Sequence, residues 1–219
     1  MPIEVVPVMQ VHQGRLVAAS DDLASEDPAK ALASLSRAHG RVVVIDQSGL
    51  ERNEPDLAFI QTASRHASLW LDAGSRDAPD AMDVVVAGAH RATLRWSLLD
   101  APEELDDAVE LAEPDTFFLG LEHRNGQFVP NRRDRMPVSA LARRADALGI
   151  GVVVMDAGGR SFNESLAKSL ATAGTERWFA GWVTSERDVA ALESLGYTGV
   201  LVPAAQARAF AARAKEEGA

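Results

Sequence analysis

The chain has 219 residues, of which 47% are hydrophobic and 25% charged, and this composition excludes a largely disordered protein. It contains no cysteine, which excludes disulfides, thiolate nucleophiles and zinc–thiolate sites. A net charge of -10 argues against a general nucleic-acid-binding surface, and the apolar runs are too short to span a membrane. The N-terminus lacks the features of a signal peptide, so a cytoplasmic location is expected.

Strand-sized apolar runs alternate with helical patterns from one end of the chain to the other. An Asp cap followed by Pro predicts a helix from Asp27-Pro28 to Gly40, and a turn at Gln13-Gly14 predicts a small hairpin with residues 15–19. Further helices are predicted at residues 54–64, 105–111, 139–148, 165–173, 185–195 and 204–215. Strands are predicted at residues 5–11, 42–45, 67–71, 83–87, 116–121, 151–155, 178–182 and 199–202.

This alternation predicts a parallel α/β fold. Eight strand-helix units predict a (βα)₈ barrel (TIM barrel) that forms a single domain over residues 1–219. The interval between Gly74 and Met82 leaves room for about one turn of helix, so the third crossover is expected to be abbreviated. An open Rossmann-type sheet is the competing fold, but no Gly-x-Gly-x-x-Gly follows the first strand.

Several predicted strands end at a residue that can take part in chemistry, which matters because barrel active sites lie at the C-terminal ends of the strands. These residues are Gln10, Asp46, Asp72, His90, Glu122, Asp156 and Trp182, with His12 and His123 nearby. Such a cluster can bind a metal or transfer protons, and no metal-spacing motif accompanies it. Only one of Glu122 and His123 is expected to face the barrel axis, because adjacent strand residues point to opposite sides.

Structural alternatives stay open for most of these residues. Asp46 and Asp156 can orient a substrate, or they can cap a helix or loop. Trp182 and Trp70 can stack on a flat ring or fill the core. Residues 158–160 can form a lid whose Arg160 grips an anion, or a plain surface loop, and the basic stretch 131–135 is typical of a solvated loop.

Seven segments, taken in chain order, resemble one family of barrels, the histidine-biosynthesis isomerase and cyclase (HisA/HisF-like) family. Residues 43–49 are similar to its second-strand motif ending in Asp-x-Asp-Gly, and residues 121–126 to its fifth-strand Leu-Asp-x-x-Asp-Gly. Residues 179–189 resemble its Ser-Gly-Gly-Val-x-Ser-x-x-Asp-Val segment. The other similar segments are residues 3–17, 69–76, 84–89 and 199–204.

The resemblance implies a catalytic pair that this chain has altered. Family enzymes use an Asp at the end of the first strand and another at the end of the fifth to open or close a sugar ring. The matching residues here are Gln10 and Glu122. Glu122 can transfer a proton but Gln10 cannot, so the histidine-pathway reaction would lack one of its two ionisable groups.

The family also binds a phosphate on each side of the barrel mouth, through glycine-rich turns and a helix N-terminus. The matching positions on one side are Gly74, Gly88 and Ala89, where Asp72 replaces a glycine and would repel the anion. On the other side Gly181 and Ser185 remain, while Trp182 and Pro203 replace glycines. At most one phosphate site is therefore expected to be serviceable.

The sequence thus predicts a diverged member of this family that acts on a small anionic metabolite. Glu122, Asp46 and Asp156 are the predicted catalytic residues, and the predicted substrate-binding residues are Gln10, His12, Asp72, His90 and Trp182. No cofactor, metal or membrane partner is predicted, and self-association as a homo-oligomer is left open. Similar diverged members are associated with methanopterin- or methanofuran-linked one-carbon metabolism. The alternatives are the histidine-pathway ribotide isomerase and a non-catalytic ligand- or partner-binding barrel.

Overall fold

A closed sheet forms the centre of the molecule. The computed structural model describes residues 3–17, 27–170, 174 and 176–217. Its strands are Glu4–His12 (β1), Arg15–Leu16 (β2), Arg41–Asp46 (β3), Ser68–Asp72 (β4), Arg91–Arg95 (β5), Phe117–Arg124 (β6), Gln127–Phe128 (β7), Gly151–Ala157 (β8), Arg177–Ala180 (β9) and Gly199–Pro203 (β10). Apart from the hairpin strands β2 and β7, neighbouring strands are parallel, and β1 pairs with both β3 and β10. The predicted eight-stranded parallel barrel is confirmed.

Helices surround the sheet and follow their capping signals. They are Pro28–His39 (α1), Gln47–Arg52 (α2), Leu57–Ala63 (α3), Ala78–Val86 (α4), Glu104–Leu111 (α5), Val138–Leu148 (α6), Glu164–Ser169 (α7), Glu186–Ser194 (α8) and Ala204–Glu217 (α9). Asp27 caps α1 by accepting from the N–H groups of Ala29 and Lys30, and Ser185 and Asp188 form a capping box on α8. None of the described helices is long and apolar enough to cross a membrane.

Helix boundaries differ from the predictions in the second crossover. Of the predicted helix 54–64, only α3 (Leu57–Ala63) is helical. The preceding helix α2 was not predicted, because six residues carry too little periodicity to be recognised. Two predictions fall partly outside the described residues. These are the ends of the extended piece 15–19 and of the helix 165–173.

The prediction of a strand at residues 83–87 is wrong. These residues lie in and just after α4, whose N-terminus is capped by Asp77, which accepts from the N–H of Asp80. The valine run suggested a buried strand, but in a helix Val84 packs in the core while Val86 is 80% exposed. The third crossover therefore carries a nine-residue helix and is not abbreviated.

The true fourth strand, β5, escaped the sequence analysis because its alternate residues are polar. Ala92 and Leu94 are buried against the helix layer, whereas Thr93 and Arg95 line the barrel interior. This Arg-Ala-Thr-Leu-Arg pattern resembles a half-exposed strand more than one buried on both faces. The polar side chains on the inner face of β5 explain why this strand does not have the apolar sequence of the other barrel strands.

Aromatic rings close the N-terminal end of the barrel interior. The Trp70 ring lies 4.7 Å from Phe118 and 4.6 Å from Trp178, in tilted and edge-on contacts. Glycines make room for these rings, because a Cβ on Gly199 would lie 2.0 Å from Trp178 and one on Gly151 would lie 2.4 Å from Phe118. The interior is thus filled at its base, and the open end is at the C-terminal ends of the strands.

Candidate active site

Strand alternation decides which side chains enter the barrel mouth. On β6 Glu122 lines the central cavity, while His123 points to the opposite face and packs on Phe128 at a ring distance of 5.5 Å. Nδ1 of His123 lies 3.3 Å from the carbonyl oxygen of Leu121, and burial lowers the pKa of this imidazole. The expectation that only one of the two faces the axis is confirmed, and the residue is Glu122.

The cavity at the mouth has an apolar floor and a polar rim. Its volume is about 590 Å³, within the usual range of roughly 300–1,000 Å³ for small-molecule sites. Apolar side chains on its floor include Val8, Val43, Trp70 and Val153. Polar side chains on its rim are Gln10, Gln47, Asp72, Arg95, Glu122, Arg124 and Asp156. Gln10 and Glu122 therefore share one rim, as a barrel site requires.

Arg95 joins two buried carboxylates inside the mouth. Its Nε donates to Oδ2 of Asp72 at 2.8 Å, its Nη2 lies 2.6 Å from the same oxygen, and its Nη1 lies 3.9 Å from Oε2 of Glu122. Burial lowers the pKa of Arg95, but the charges of Asp72 and Glu122 outweigh this effect and raise it overall. The Oδ1 atom of Asp72 is buried without a hydrogen-bond partner among the described residues.

Glu122 is held by donors from its own strand and the neighbouring loop. Nη2 of Arg124 donates to Oε1 at 2.7 Å, and the hydroxyl of Ser97 donates to Oε2 at 3.3 Å. The Glu122 side chain is only 8% exposed, whereas that of Arg124 is 67% exposed. Across the mouth, Nε2 of Gln47 donates to Oε1 of Gln10 at 3.2 Å. One fixed carboxylate thus faces the same cavity as a pair of amides.

Asp46 does not reach the cavity, so its predicted place in the site is wrong. Strand alternation points it away from the axis, between the lining residues Ile45 and Gln47. Its carboxylate caps α2, accepting from the N–H groups of Ser48 at 2.9 Å and Asp56 at 2.8 Å. This is the structural alternative that the sequence left open for an Asp after a strand.

Gly88, Ala89 and His90 lie at the opposite end of the barrel, because they follow α4 and precede β5. The N–H of His90 donates to the carbonyl of Leu69 near the start of β4. Their predicted place at the mouth rested on the strand at residues 83–87 and is wrong for the same reason. A substrate in the central cavity cannot contact them.

The remaining predicted site residues divide into two groups. Asp156, Gly181 and Trp182 line the cavity, and Trp182 is 49% exposed at its rim. Three others are not among the lining residues, namely Gly74, His12 and Ser185. Gly74 is buried under the backbone of Leu50, His12 lies in the β1–β2 hairpin, and Ser185 is used by the α8 cap. The phosphate contacts predicted for Gly74 and Ser185 stay predictions.

Arg95 and Arg124 are the site residues that the sequence analysis missed. Arg95 was hidden by the misplaced fourth strand. Arg124 could have been found, because it lies two residues after Glu122 on one strand and so shares its face. Within the described residues, no group of three or more His, Asp or Glu side chains is placed to hold a metal ion.

Comparison with known proteins agrees with the seven sequence segments and with the barrel. The sequence model described as "Histidine biosynthesis protein" matches residues 4–210, which is nearly the whole chain. No curated protein matches the chain. The family match and the barrel agree, and the chain therefore belongs to the histidine biosynthesis protein family of barrels.

Proposed function

We propose that this barrel is an acid–base enzyme that acts on a small anionic metabolite bound at its mouth. The observation that carries the proposal is Glu122, a nearly buried carboxylate held by two donors and open to a cavity of about 590 Å³. A positioned carboxylate contributes about 10² to 10⁴ in rate when it transfers a proton. The reaction class is proton transfer of the isomerase or lyase type.

Each polar residue of the mouth has a role in this proposal. Glu122 accepts a proton from the substrate and returns it at another atom. Asp156 borders the cavity in register with His123 and orients the substrate. Gln10 only donates or accepts hydrogen bonds, so it orients the substrate. Arg124 reaches both Glu122 and solvent, and its guanidinium can contact an incoming carboxylate or phosphate.

The apolar part of the cavity supports a flat ring in the substrate. Trp182 stands at the rim, and Val43 and Val153 lie on the floor. An exposed indole beside an apolar cavity is suited to stack on an aromatic ring. We extend the proposal to ring-bearing metabolites of the pterin, furan or aminobenzene type, in line with the resemblance to members linked to methanopterin or methanofuran metabolism.

The test uses extracts of cells that lack the gene, because such cells accumulate the unconverted substrate. Purified protein is added and the extract is followed by mass spectrometry. We expect the wild-type chain to consume at least one metabolite and Glu122→Gln to do so about 10² to 10⁴ times more slowly. Glu110→Gln makes the same chemical change at an exposed position of α5 and is the control. Equal consumption by all three proteins would refute the role of Glu122.

Two alternatives have distinct outcomes. If the chain is the histidine-pathway isomerase, it restores growth without histidine in a strain lacking that enzyme, and Gln10 would then be no obstacle. If the barrel only binds a ligand or partner, Glu122→Gln restores the deletion phenotype as well as the wild-type chain does. The proposal predicts failure in both assays.

A further inference from the structure

One carboxylate oxygen of a residue that lines the central cavity has no protein partner. Asp72 ends β4 and lines this cavity, and its side chain is 2% exposed. Its Oδ2 is engaged by Arg95, whereas its Oδ1 is buried without a hydrogen-bond partner among the described residues. Buried acceptors in proteins are almost always paired, because an unpaired one is not compensated for its lost hydration. Asp72 can therefore accept one more hydrogen bond.

The neighbouring strands leave the cavity as the source of that hydrogen bond. On the β5 side, Arg95 holds the carboxylate by donating from Nε to Oδ2 at 2.8 Å. On the β3 side, the residue opposite Asp72 in register is Ile45, whose side chain has no donor. Asp72 is thus fixed by one neighbour and left unpaired by the other, and the side that stays open is the one that lines the cavity.

The position of Asp72 relates it to the apolar floor. Trp70 lies two residues earlier on β4, so both side chains point into the barrel. Two strand residues span about 6–7 Å, which places Asp72 roughly one ring width above Trp70 along the strand. Val43 and Val153 belong to the same floor. A flat ring that packs towards this floor therefore brings its edge within reach of Asp72.

The charge of Asp72 is already balanced, and this decides the kind of donor. Nη2 of Arg95 lies 2.6 Å from Oδ2 of Asp72, so the pair as a whole is neutral. A cation placed at Oδ1 would lie beside this guanidinium, and like charges repel strongly at such short distances. A neutral N–H or O–H group donates the same hydrogen bond without that repulsion.

We infer that Asp72 is a specificity-determining residue whose Oδ1 accepts a hydrogen bond from a neutral N–H or O–H on the edge of the substrate's ring, an inference that rests on the proposed function. The resemblance places a glycine at this position, so the carboxylate belongs to this chain and not to the family motif. A furan ring by itself carries no such hydrogen. The ring types proposed above are thereby narrowed to those with an amino, ring N–H or hydroxyl group.

The first arm of the test is titration calorimetry of the full chain with four benzoates that differ only at the para position. The amino and hydroxyl compounds are neutral donors, the methyl compound has a similar size and no donor, and the aminomethyl compound is an ammonium at neutral pH. We expect para-aminobenzoate or para-hydroxybenzoate to bind at least about tenfold more tightly than para-methylbenzoate. The tighter of the two identifies the N–H or the O–H as the donor. Equal binding of the methyl compound, tightest binding of the ammonium, or no saturable binding would overturn the inference.

The second arm reverses the hydrogen-bonding character of the site with Asp72→Asn. Because a guanidinium only donates, the new amide turns its oxygen to Arg95 and places its NH₂ where Oδ1 was. We expect the preference to move by about tenfold from para-aminobenzoate to para-formylbenzoate, whose carbonyl is an acceptor. Asp83→Asn makes the same change at an exposed position of α4 and is the control. An unchanged preference in a folded Asp72→Asn variant would overturn the inference, and if this variant does not fold, the wild-type probe series decides alone.

Failure of the inference and failure of the proposed function are distinguishable. If Glu122→Gln consumes the metabolite normally while Asp72→Asn reverses the probe preference, the catalytic role fails and the donor site stands. If Glu122→Gln is inactive while Asp72→Asn keeps the wild-type preference, the catalytic role stands and the inference fails.

Discussion

Removing the charge of Arg95 is the perturbation whose effect follows most directly from the structure. Arg95→Met keeps a side chain of similar length but leaves Asp72, only 2% exposed, without its partner. Among the described residues, Oδ1 of Asp72 already lacks a hydrogen bond, and both polar contacts of Oδ2 are with Arg95. Glu122 loses a cation at 3.9 Å but keeps Arg124.

The expected magnitude is large. Breaking a buried ion pair by removing one partner destabilises a protein by about 3–5 kcal/mol, because an uncompensated charge stays buried. For a chain of this length, that corresponds to a fall in Tm of roughly 6–20 °C. Arg52→Met is the control, since Arg52 is 47% exposed and its pair with Glu54 is worth about 0–1 kcal/mol.

The assay is urea unfolding of both variants and of Asp72→Leu/Arg95→Met, with free energies compared at neutral pH. We expect the double variant to recover most of the lost stability, because both charges are gone. The raised pKa of Arg95 keeps its guanidinium charged across the neutral range, so its contribution to stability is constant there. A loss below about 1 kcal/mol, or a double variant as unstable as the single one, would refute the reasoning.

Three further outcomes follow from single contacts. Burial lowers the pKa of His123, so the unfolded state takes up a proton first and the free energy of unfolding falls as the pH drops below the ordinary histidine value. His123→Gln should reduce this fall between pH 7 and 5 in urea unfolding, whereas the exposed control His66→Gln should not. Gly49→Ala places a Cβ 2.1 Å from the carbonyl oxygen of Ala73 and should lower the free energy of unfolding by about 1–3 kcal/mol, and an unchanged Tm would contradict this contact. Asn131→Ala leaves the carbonyls of Trp96 and Leu99 without their donor and should cost about 1–3 kcal/mol in the same assay. A wild-type free energy of unfolding would show that the amide does not anchor the loop.

The sequence by itself determined the barrel and the end of it at which Gln10 and Glu122 lie. Valine-rich runs alternate with capped helices, and seven of the eight strands predicted from this pattern are strands of the barrel. Period-two alternation also predicted that only one of Glu122 and His123 faces the barrel axis, because adjacent strand residues point to opposite sides. Gln10 and Glu122 were correctly placed on one rim, since parallel strands bring their C-terminal ends together.

Only the tertiary structure decided what surrounds Glu122. Val84, Val85 and Val86 favour a strand by composition, and the helix that they form instead depends on the Asp77 cap and on packing against the core. Because residues 83–87 were predicted as the fourth strand, Arg95 was not predicted as a site residue, and Gly88 and His90 were predicted at the wrong end of the barrel.

The role of a polar residue likewise depends on its partners in space. Asp46 and Asp72 both end a barrel strand, yet one caps a helix and the other pairs with a cation inside the mouth. The buried amide of Asn131 donates to the carbonyls of Trp96 and Leu99, which lie in a distant loop, so no local stretch of sequence reveals its role. Local pattern specifies the backbone and the side of each residue, whereas charge balance and cavity shape arise only when distant segments meet.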